Sequence, residues 1–372
     1  MEKMSGLGVQ ERAVLDLIAS NPFATQQEIA AALGLARSTV AAHIVALANK
    51  GHILGRGYVL PPPRNMVCIG GAVLDRKYHA RAPLVFETSN PADGFRSFGG
   101  VARNVAENLA RLGVAVSFVS IVGDDDSGRS LLRHLRDLGA DVSQVVVTAQ
   151  RPTAEYAAIL DPANELVLGI ADMDIFDLLT PEHLDRFWPH LASASWVFAD
   201  CNLPAATLSA LIARRQSARF GLAIDTVSTP KAMKLPADLT GVDVLFTNED
   251  EANAMLGTDG TGRRLPASDA AGRLRQRGAR EVVVTRGARG YAVATEAGTG
   301  DMAAVPARPV DITGAGDAMI AGTLYRVLQG EPVADAARTG ALLATLTTES
   351  TASVHPELSP GLLATNEHRI GT

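Results

Sequence analysis

From Asp311 to Met319 the chain reads DITGAGDAM, two glycines, two alanines and two acids in nine residues. The apolar periodicity of GAGDAMIAGTLYRVLQG predicts a helix starting near Gly314. Thr313-Gly314-Ala315-Gly316 then lies at a helix N-terminus, where the first amides lack intrahelical partners and carry the positive end of the dipole. Small residues let a phosphate reach those amides. Asp317 falls in the first turn, beside the place such an anion would take. Two chemistries fit. The carboxylate complements the dipole, an effect of a few tenths to about 1 kcal/mol. Alternatively it is a general base that takes an alcohol's proton while the amides of Gly314, Ala315 and Gly316 stabilise a moving phosphoryl group. The loop lacks the Lys-Ser/Thr ending of a P-loop, so by itself it does not decide between them.

The elements that must position this loop are legible as alternation. The β-rich runs MVCIGG, VSFVSIVG, WVFAD, GLAID, DVLF and EVVVT are separated by amphipathic stretches such as NVAENLARLG and SLLRHLRDLG. That order predicts a mainly parallel sheet with helices on both faces. AEYAAIL and ELVLGI, around Asp161-Pro162-Ala163-Asn164, predict an inserted hairpin, a candidate lid. FGGVARNVAENLARLG, Phe98 to Gly113, is a second Gly-Gly turn feeding a helix. Read alone, Gly99-Gly100 is a tight turn and Asn104 an exposed helix residue. NEDEA, Asn248 to Ala252, reads alone as a solvated helix start.

Residues 1–60 differ in pattern: three helices, then two short strands around Gly55-Arg56-Gly57. Val14, Leu15 and Ile18 share one face. Thr25 is a candidate N-cap with Glu28 as its capping-box partner, and Gly34 is a stop. Val40, Ile44 and Leu47 form the stripe of the third helix. PPPRN, residues 61–65, is a stiff linker. Residues 66–357 form the second domain, and 358–372 a tail with loop or short-helix character.

The 372 residues suffice for two or three domains, and 47% hydrophobic against 20% charged residues is a globular balance. A formal net charge of -6 argues against a nucleic-acid binder over the whole surface, though a small basic face fits within it. Cys68 and Cys201 lack metal-ligand spacing and lie in apolar runs, as buried thiols of a reducing cytoplasm do. No apolar stretch predicts a signal sequence or a membrane span.

GGVARNVAENLA and DITGAGD, in this order and at this separation, resemble the ribokinase-like (PfkB) carbohydrate kinases over residues 66 to about 355. The resemblance implies an α/β, doubly wound, mainly parallel sheet with a small β lid, and phosphorylation of a hydroxymethyl group of a sugar or nucleoside with ATP and Mg2+. It implies Asp317 as catalytic base, the 314–316 amides as anion hole, and Asp75, Gly100 and Asn104 as acceptor contacts. Val73 stands where the family usually has asparagine. Asn248 and Glu251 would support the triphosphate and its Mg2+, largely through water. Thr285 and Gly287, in VVVTRGARG, would contact nucleotide phosphates. Asp311 and Thr313 would hold a monovalent cation such as K+.

LGIADMDI, FADCN and AIDTVSTPK are similar to the pseudouridine kinase branch. There Asp172 and Asp174 would accept hydrogen bonds from ring N-H groups of the base, or form a plain polar loop. Ser228 and Lys231 lie in a segment that could approach the phosphates. The first 60 residues resemble a winged helix-turn-helix, which implies Arg37, Ser38, Thr39 and His43 facing DNA, Arg56 at the wing tip, and a homodimer on paired half-sites. Five Lys/Arg against four Asp/Glu make this domain nearly neutral, which leaves dimerisation or docking open.

Overall fold

The computed structural model describes residues 7–22, 24–54, 64–258 and 264–370. Helices α1 (Val9–Ser20), α2 (Gln26–Leu33) and α3 (Arg37–Asn49) close over Val14, Ile18, Ile29, Val40, Leu47 and Ile53. The Thr25 hydroxyl accepts the Glu28 amide at 3.2 Å, and the Glu28 carboxylate accepts the Thr25 amide at 2.7 Å, which starts α2 where the capping box predicts. The chain turns by 109° between α2 and α3, within the range of helix-turn-helix pairs. The Gly55-Arg56-Gly57 strands and Pro61–Pro63 lie outside the described residues.

The larger body runs β1 (Asn65–Ile69), β2 (Val73–Ala80), β3 (Ala92–Gly99), α4 (Val101–Arg111), β4 (Ala115–Val119), β5 (Ile121–Gly123), α5 (Asp126–Asp137), β6 (Val146–Thr148), β7 (Glu155–Leu160) and β8 (Leu166–Asp172). It continues through α6 (Pro181–Ser193), β9 (Trp196–Asp200), α7 (Ala205–Arg215), β10 (Gly221–Asp225), α8 (Thr229–Ala232), β11 (Val244–Asn248), α9 (Glu249–Met255) and α10 (Ala267–Gln276). It ends with β12 (Glu281–Thr285), β13 (Tyr291–Thr295), β14 (Gly298–Met302), α11 (Ala315–Leu328), α12 (Val333–Thr348) and α13 (Pro360–Asn366). The central sheet has the order β14-β13-β12-β11-β10-β9-β1-β4, parallel except where β13 and β14 join.

Alternate residues of one strand feed two cores, as the two-residue period requires. Met66 and Cys68 pack with Phe118, Phe198 and Phe246 under α4, α5, α11 and α12. Val67 and Ile69 pack with Val197, Leu222 and Leu245 under α6, α7 and α10. Cys68 and Cys201 are buried and unpaired. Leu358 and Leu363 are buried in the first of these cores, so the tail packs into the body. Among the described residues no single helix is long and apolar enough to cross a membrane.

The lid is larger than the expected hairpin. β7 and β8 turn at Asp161, whose carboxylate accepts the amides of Ala163 and Glu165 at 2.8 and 2.9 Å. They are joined by β2 and β3 in a four-stranded sheet, order β3-β2-β7-β8. VLDRKYHA carries polar, mostly half-buried residues on both faces, so it lacks the apolar alternation that marks a strand.

The three-helix unit rests on α6. A methyl group on Gly51, which has φ +73°, would lie 2.1 Å from the Ala192 carbonyl carbon, so only glycine allows this approach.

Candidate active site

The DITGAGD loop turns into α11 at Gly314, with φ +79°. A methyl group there would stand 1.9 Å from the Ser353 carbonyl oxygen, so the turn needs glycine twice over. The amides of Gly314 and Gly316 make no hydrogen bond among the described residues, and space is open beside Gly316. The Ala315 amide differs from expectation: it donates to the Ile312 carbonyl at 3.3 Å, because the tight turn folds it back into the loop.

Asp317 is half-buried in the first turn of α11. Its Oδ2 accepts from Asn104 Nδ2 at 2.6 Å. Desolvation pushes the carboxyl up to about 7, the Asn104 bond and the Arg103 guanidinium oppose, and the carboxylates of Asp200 and Asp75 add to the rise. A carboxyl near neutrality can take a proton at physiological pH, which a dipole-complementing acid at its ordinary value does less well. Asp75 faces the same centre from β2 and is raised to about 6 by desolvation, against Arg103 and Lys77. Gly100 caps α4 and lies against the Gly71 backbone.

Asn248 and Glu251 close the far side. The Asn248 side chain accepts the Asp250 and Glu251 amides, both at 2.9 Å, as the N-cap of α9. Glu251 accepts from the Thr226 hydroxyl at 2.5 Å and from Asn248 Nδ2 at 2.6 Å. Asp225 stands near it, raised by desolvation and by the carboxylates of Glu251, Asp317 and Asp200. Val227, a β-branched residue with φ +67°, holds the following turn in a strained conformation of the kind that clusters at functional sites. Beyond Gly316 opens a mostly apolar cavity of about 640 Å³, lined by Thr285, Gly287, Tyr291, Pro306, Met319 and Thr345 among others.

Residues 64–359 match the pfkB family carbohydrate kinase profile. This chain belongs to that family. Residues 10–53 match a winged helix-turn-helix DNA-binding profile. The chain is 33% identical over 351 residues to a protein named uncharacterized sugar kinase YeiI from Escherichia coli strain K12, covering 94% of this chain and 96% of that one. It is 31% identical over 274 residues to a pseudouridine kinase of the same organism, covering 73% and 87%. A solved carbohydrate kinase from Agrobacterium tumefaciens superposes with a TM-score of 0.72 at 32% identity, over 81% of this chain and 96% of that chain. The fold is therefore ribokinase-like, with a winged helix-turn-helix domain in front, and the protein is a phosphotransferase with an alcohol acceptor.

Kinases of this family use ATP with Mg2+. The residues present fit both. An apolar cavity leads to free amides, and the carboxylates of Glu251, Asp317 and Asp200 crowd Asp225 and raise it, a repulsion that a bound cation would offset. No three carboxylate, His or Cys side chains converge as a metal cage among the described residues. Glu251, bonded already to Thr226 and Asn248, would reach Mg2+ through water.

The monovalent cation does not fit. The Lys77 ammonium, from lid strand β2, stands 3.0 Å from Asp311 Oδ2 and 3.4 Å from Thr313 Oγ1. The Thr313 amide donates to Asp311 Oδ1 at 2.8 Å. Partial burial would raise the Asp311 carboxyl, but the Thr313 hydroxyl and amide and the Lys77 ammonium outweigh it and hold it low.

Asp172 and Asp174 are not brought to the Asp317 cluster. Asp172 pairs with Glu155, in the row of Leu74, whereas Asp75 shares its row with Tyr156 and Ala171. Successive strand residues point to opposite faces, so Asp172 takes the lid face away from Asp75. Asp174 is an exposed partner of Arg151 at 3.5 Å. Lys231 donates to Asn202 Oδ1 at 2.6 Å. In the N-terminal domain Arg37 and Ser38 are exposed at the start of α3, and Thr39 is half-buried. His43 lies 3.3 Å from Gln10 of α1, so its ring is engaged within the domain.

Sequence reasoning passed over three residues that shape the centre. Asp200 is fully buried and accepts the Gly71 and Ala102 amides at 3.0 and 2.8 Å, tying the first loop to the start of α4. Arg103, 2% exposed, binds the Asn104 side chain and the Phe98 carbonyl, which orients Asn104 toward Asp317. Lys77 is the third. The available signal was the aspartate ending WVFAD; Arg103, with Glu107 four residues on and Arg111 four beyond that, reads as part of a polar stripe.

Proposed function

We propose that this protein transfers the γ-phosphoryl group of ATP to the 5'-hydroxyl of pseudouridine, giving pseudouridine 5'-phosphate. The observation that carries the reading is Asp317, desolvated and pushed up to about 7 beside the free amides of Gly314 and Gly316. Asp317 takes the acceptor's proton, and those amides stabilise the charge on the moving group. Asn104 and Asp75 hold the acceptor's hydroxyls, with Gly100 giving the backbone room. Asn248, Glu251, Thr285 and Gly287 attend the phosphates and Mg2+, and the apolar cavity receives the adenine. The lid face of Asp75 also carries Tyr156 and, opposite Lys77, Phe95, so ring stacking on that face replaces the Asp172 and Asp174 contacts as the base-recognition element. Similarity to a pseudouridine kinase supports the acceptor. The unpaired cysteines suit a cytoplasmic setting.

The N-terminal domain, on this reading, binds DNA as a homodimer through the exposed start of α3. Its match to a DNA-binding profile supports that role and favours one competing reading, a transcriptional regulator using the kinase body as a nucleoside sensor.

ADP release with ATP and Mg2+, measured on pseudouridine, uridine, ribose, fructose and adenosine with Asp317→Asn as control, tests the proposal. Turnover favouring pseudouridine and lost in the variant is expected. Turnover on another acceptor overturns the acceptor assignment alone. Tight nucleoside binding without turnover on any acceptor overturns the enzyme in favour of the sensor.

A further inference from the structure

The contact between Lys77 and the anion-hole loop has no counterpart in the reaction scheme above. Lys77 and Asp311 are 234 residues apart, yet the lid strand delivers the ammonium to both Asp311 Oδ2 and Thr313 Oγ1. Thr313 directly precedes Gly314, whose turn presents the free amides. Asp311 in turn accepts the Thr313 amide, so the carboxylate and the hydroxyl that grip the ammonium are themselves locked together. The pair is part-exposed, with side-chain accessibilities of 32% and 27%, and such pairs add little to stability. Its position is the informative property. Lys77 lies two residues from Asp75 on the same strand face, so closing the lid brings the acceptor-side carboxyl and the ammonium to the centre together.

We propose that Lys77 is a tethered cation, a positioning residue that replaces a free monovalent ion beside the anion hole and orders the 311–314 loop when the lid is closed. A fixed ammonium balances the Asp311 carboxylate that would otherwise face incoming phosphate charge. A dissociable K+ would have to compete with it for the same two oxygens. The protein therefore works without K+, and cutting back Lys77 turns it into a protein that responds to K+.

The proposal rests on the kinase reading, and its test separates the two. ADP release by the wild-type protein and by Lys77→Met is measured in KCl, NH4Cl and tetramethylammonium chloride at equal ionic strength. Thermal unfolding of both proteins is followed in the same salts. The wild type is expected to turn over within twofold of the same rate in all three. Lys77→Met is expected to lose at least tenfold in tetramethylammonium, recover severalfold in KCl or NH4Cl, and gain thermal stability specifically in those salts. Wild-type turnover that rises fivefold or more with K+ overturns the tethered cation while leaving the kinase intact. So does a Lys77→Met protein as fast as the wild type and indifferent to the salt. Wild-type protein inactive on every acceptor in every salt overturns the kinase reading, and the unfolding arm still decides the cation: a K+-specific shift in Lys77→Met alone supports it, and an equal shift in both proteins refutes it. Should Lys77→Met not fold, the wild-type salt series alone decides.

Discussion

Asp317 makes the rate and the stability of this protein depend on pH in opposite ways. Its carboxyl is pushed from 3.8 to about 7, mainly by desolvation. As the proposed base it works only when ionised. Below pH 7, kcat/KM should therefore fall about tenfold per pH unit, to roughly a tenth of the plateau at pH 6. An ordinary carboxyl would hold the plateau down to about pH 5. The folded chain binds this proton more readily than the unfolded chain does, so stability is lost as pH rises from 3.8 through about 7. The linkage is at most about 4 kcal/mol, and the carboxyl's partial contact with solvent reduces it to on the order of 1–2 kcal/mol. Asn at this position carries no charge at any pH. Asp317→Asn should lose about 10^2- to 10^4-fold in kcat while melting higher than wild type at pH 8 and equally at pH 4. The assays are ADP release from pH 5 to 9 and thermal unfolding across the same range and at pH 4. A flat kcat/KM between pH 5 and 8, or a variant with full turnover, would refute the assignment of Asp317.

Asn104→Ala removes the 2.6 Å bond that favours the ionised carboxyl, so the acid limb of the kcat/KM profile should move to higher pH and the acceptor KM should rise; an unmoved limb would separate Asn104 from the base. Gly314→Ala forces a methyl group to within 1.9 Å of the Ser353 oxygen at φ +79°, so urea unfolding should show a loss of at least about 1–3 kcal/mol, with kcat down by 10^2 or more. Arg37→Ala should weaken binding to operator DNA and lower the salt slope by about one, with ADP release unchanged; an unaltered slope would remove Arg37 from the phosphate contacts. Gly51→Leu should undock the N-terminal helices from α6, seen as faster proteolysis between residues 54 and 64 at unchanged kinase turnover.

What the sequence disclosed depended on whether a residue's surroundings were local. The DITGAGD turn was legible because glycine at a left-handed position followed by a helix period is a short-range pattern. The capping box at Thr25 was legible for the same reason, and so were the doubly covered strands, whose residues are buried on both faces. The lid strands β2 and β3 were not, because their polar residues fall on both faces and leave no apolar face to show in the sequence. Register decided Asp172. Its spacing from Asp174 says nothing of which row of β7 it joins, and a shift of one residue puts it on the other face.

Arg103 and Lys77 show why charged residues are the hardest to place. A lysine on a half-polar strand looks solvated unless its partner is known, and here the partner is 234 residues away on the anion-hole loop. Arg103 looked like the polar stripe of an amphipathic helix, yet it is 2% exposed. A buried guanidinium persists only where its surroundings satisfy it. Here the Glu107 carboxylate and the Phe98 and Gly99 carbonyls do so from one side. That leaves the guanidinium bonded to Asn104, the residue that touches Asp317. The desolvation that raises Asp317 thus comes with its own limit: the same surroundings supply an arginine charge that keeps the carboxyl near neutrality rather than far above it. A base for an alcohol needs that compromise, because a carboxyl held much higher would be protonated at working pH and one held much lower would be too weak to take the proton.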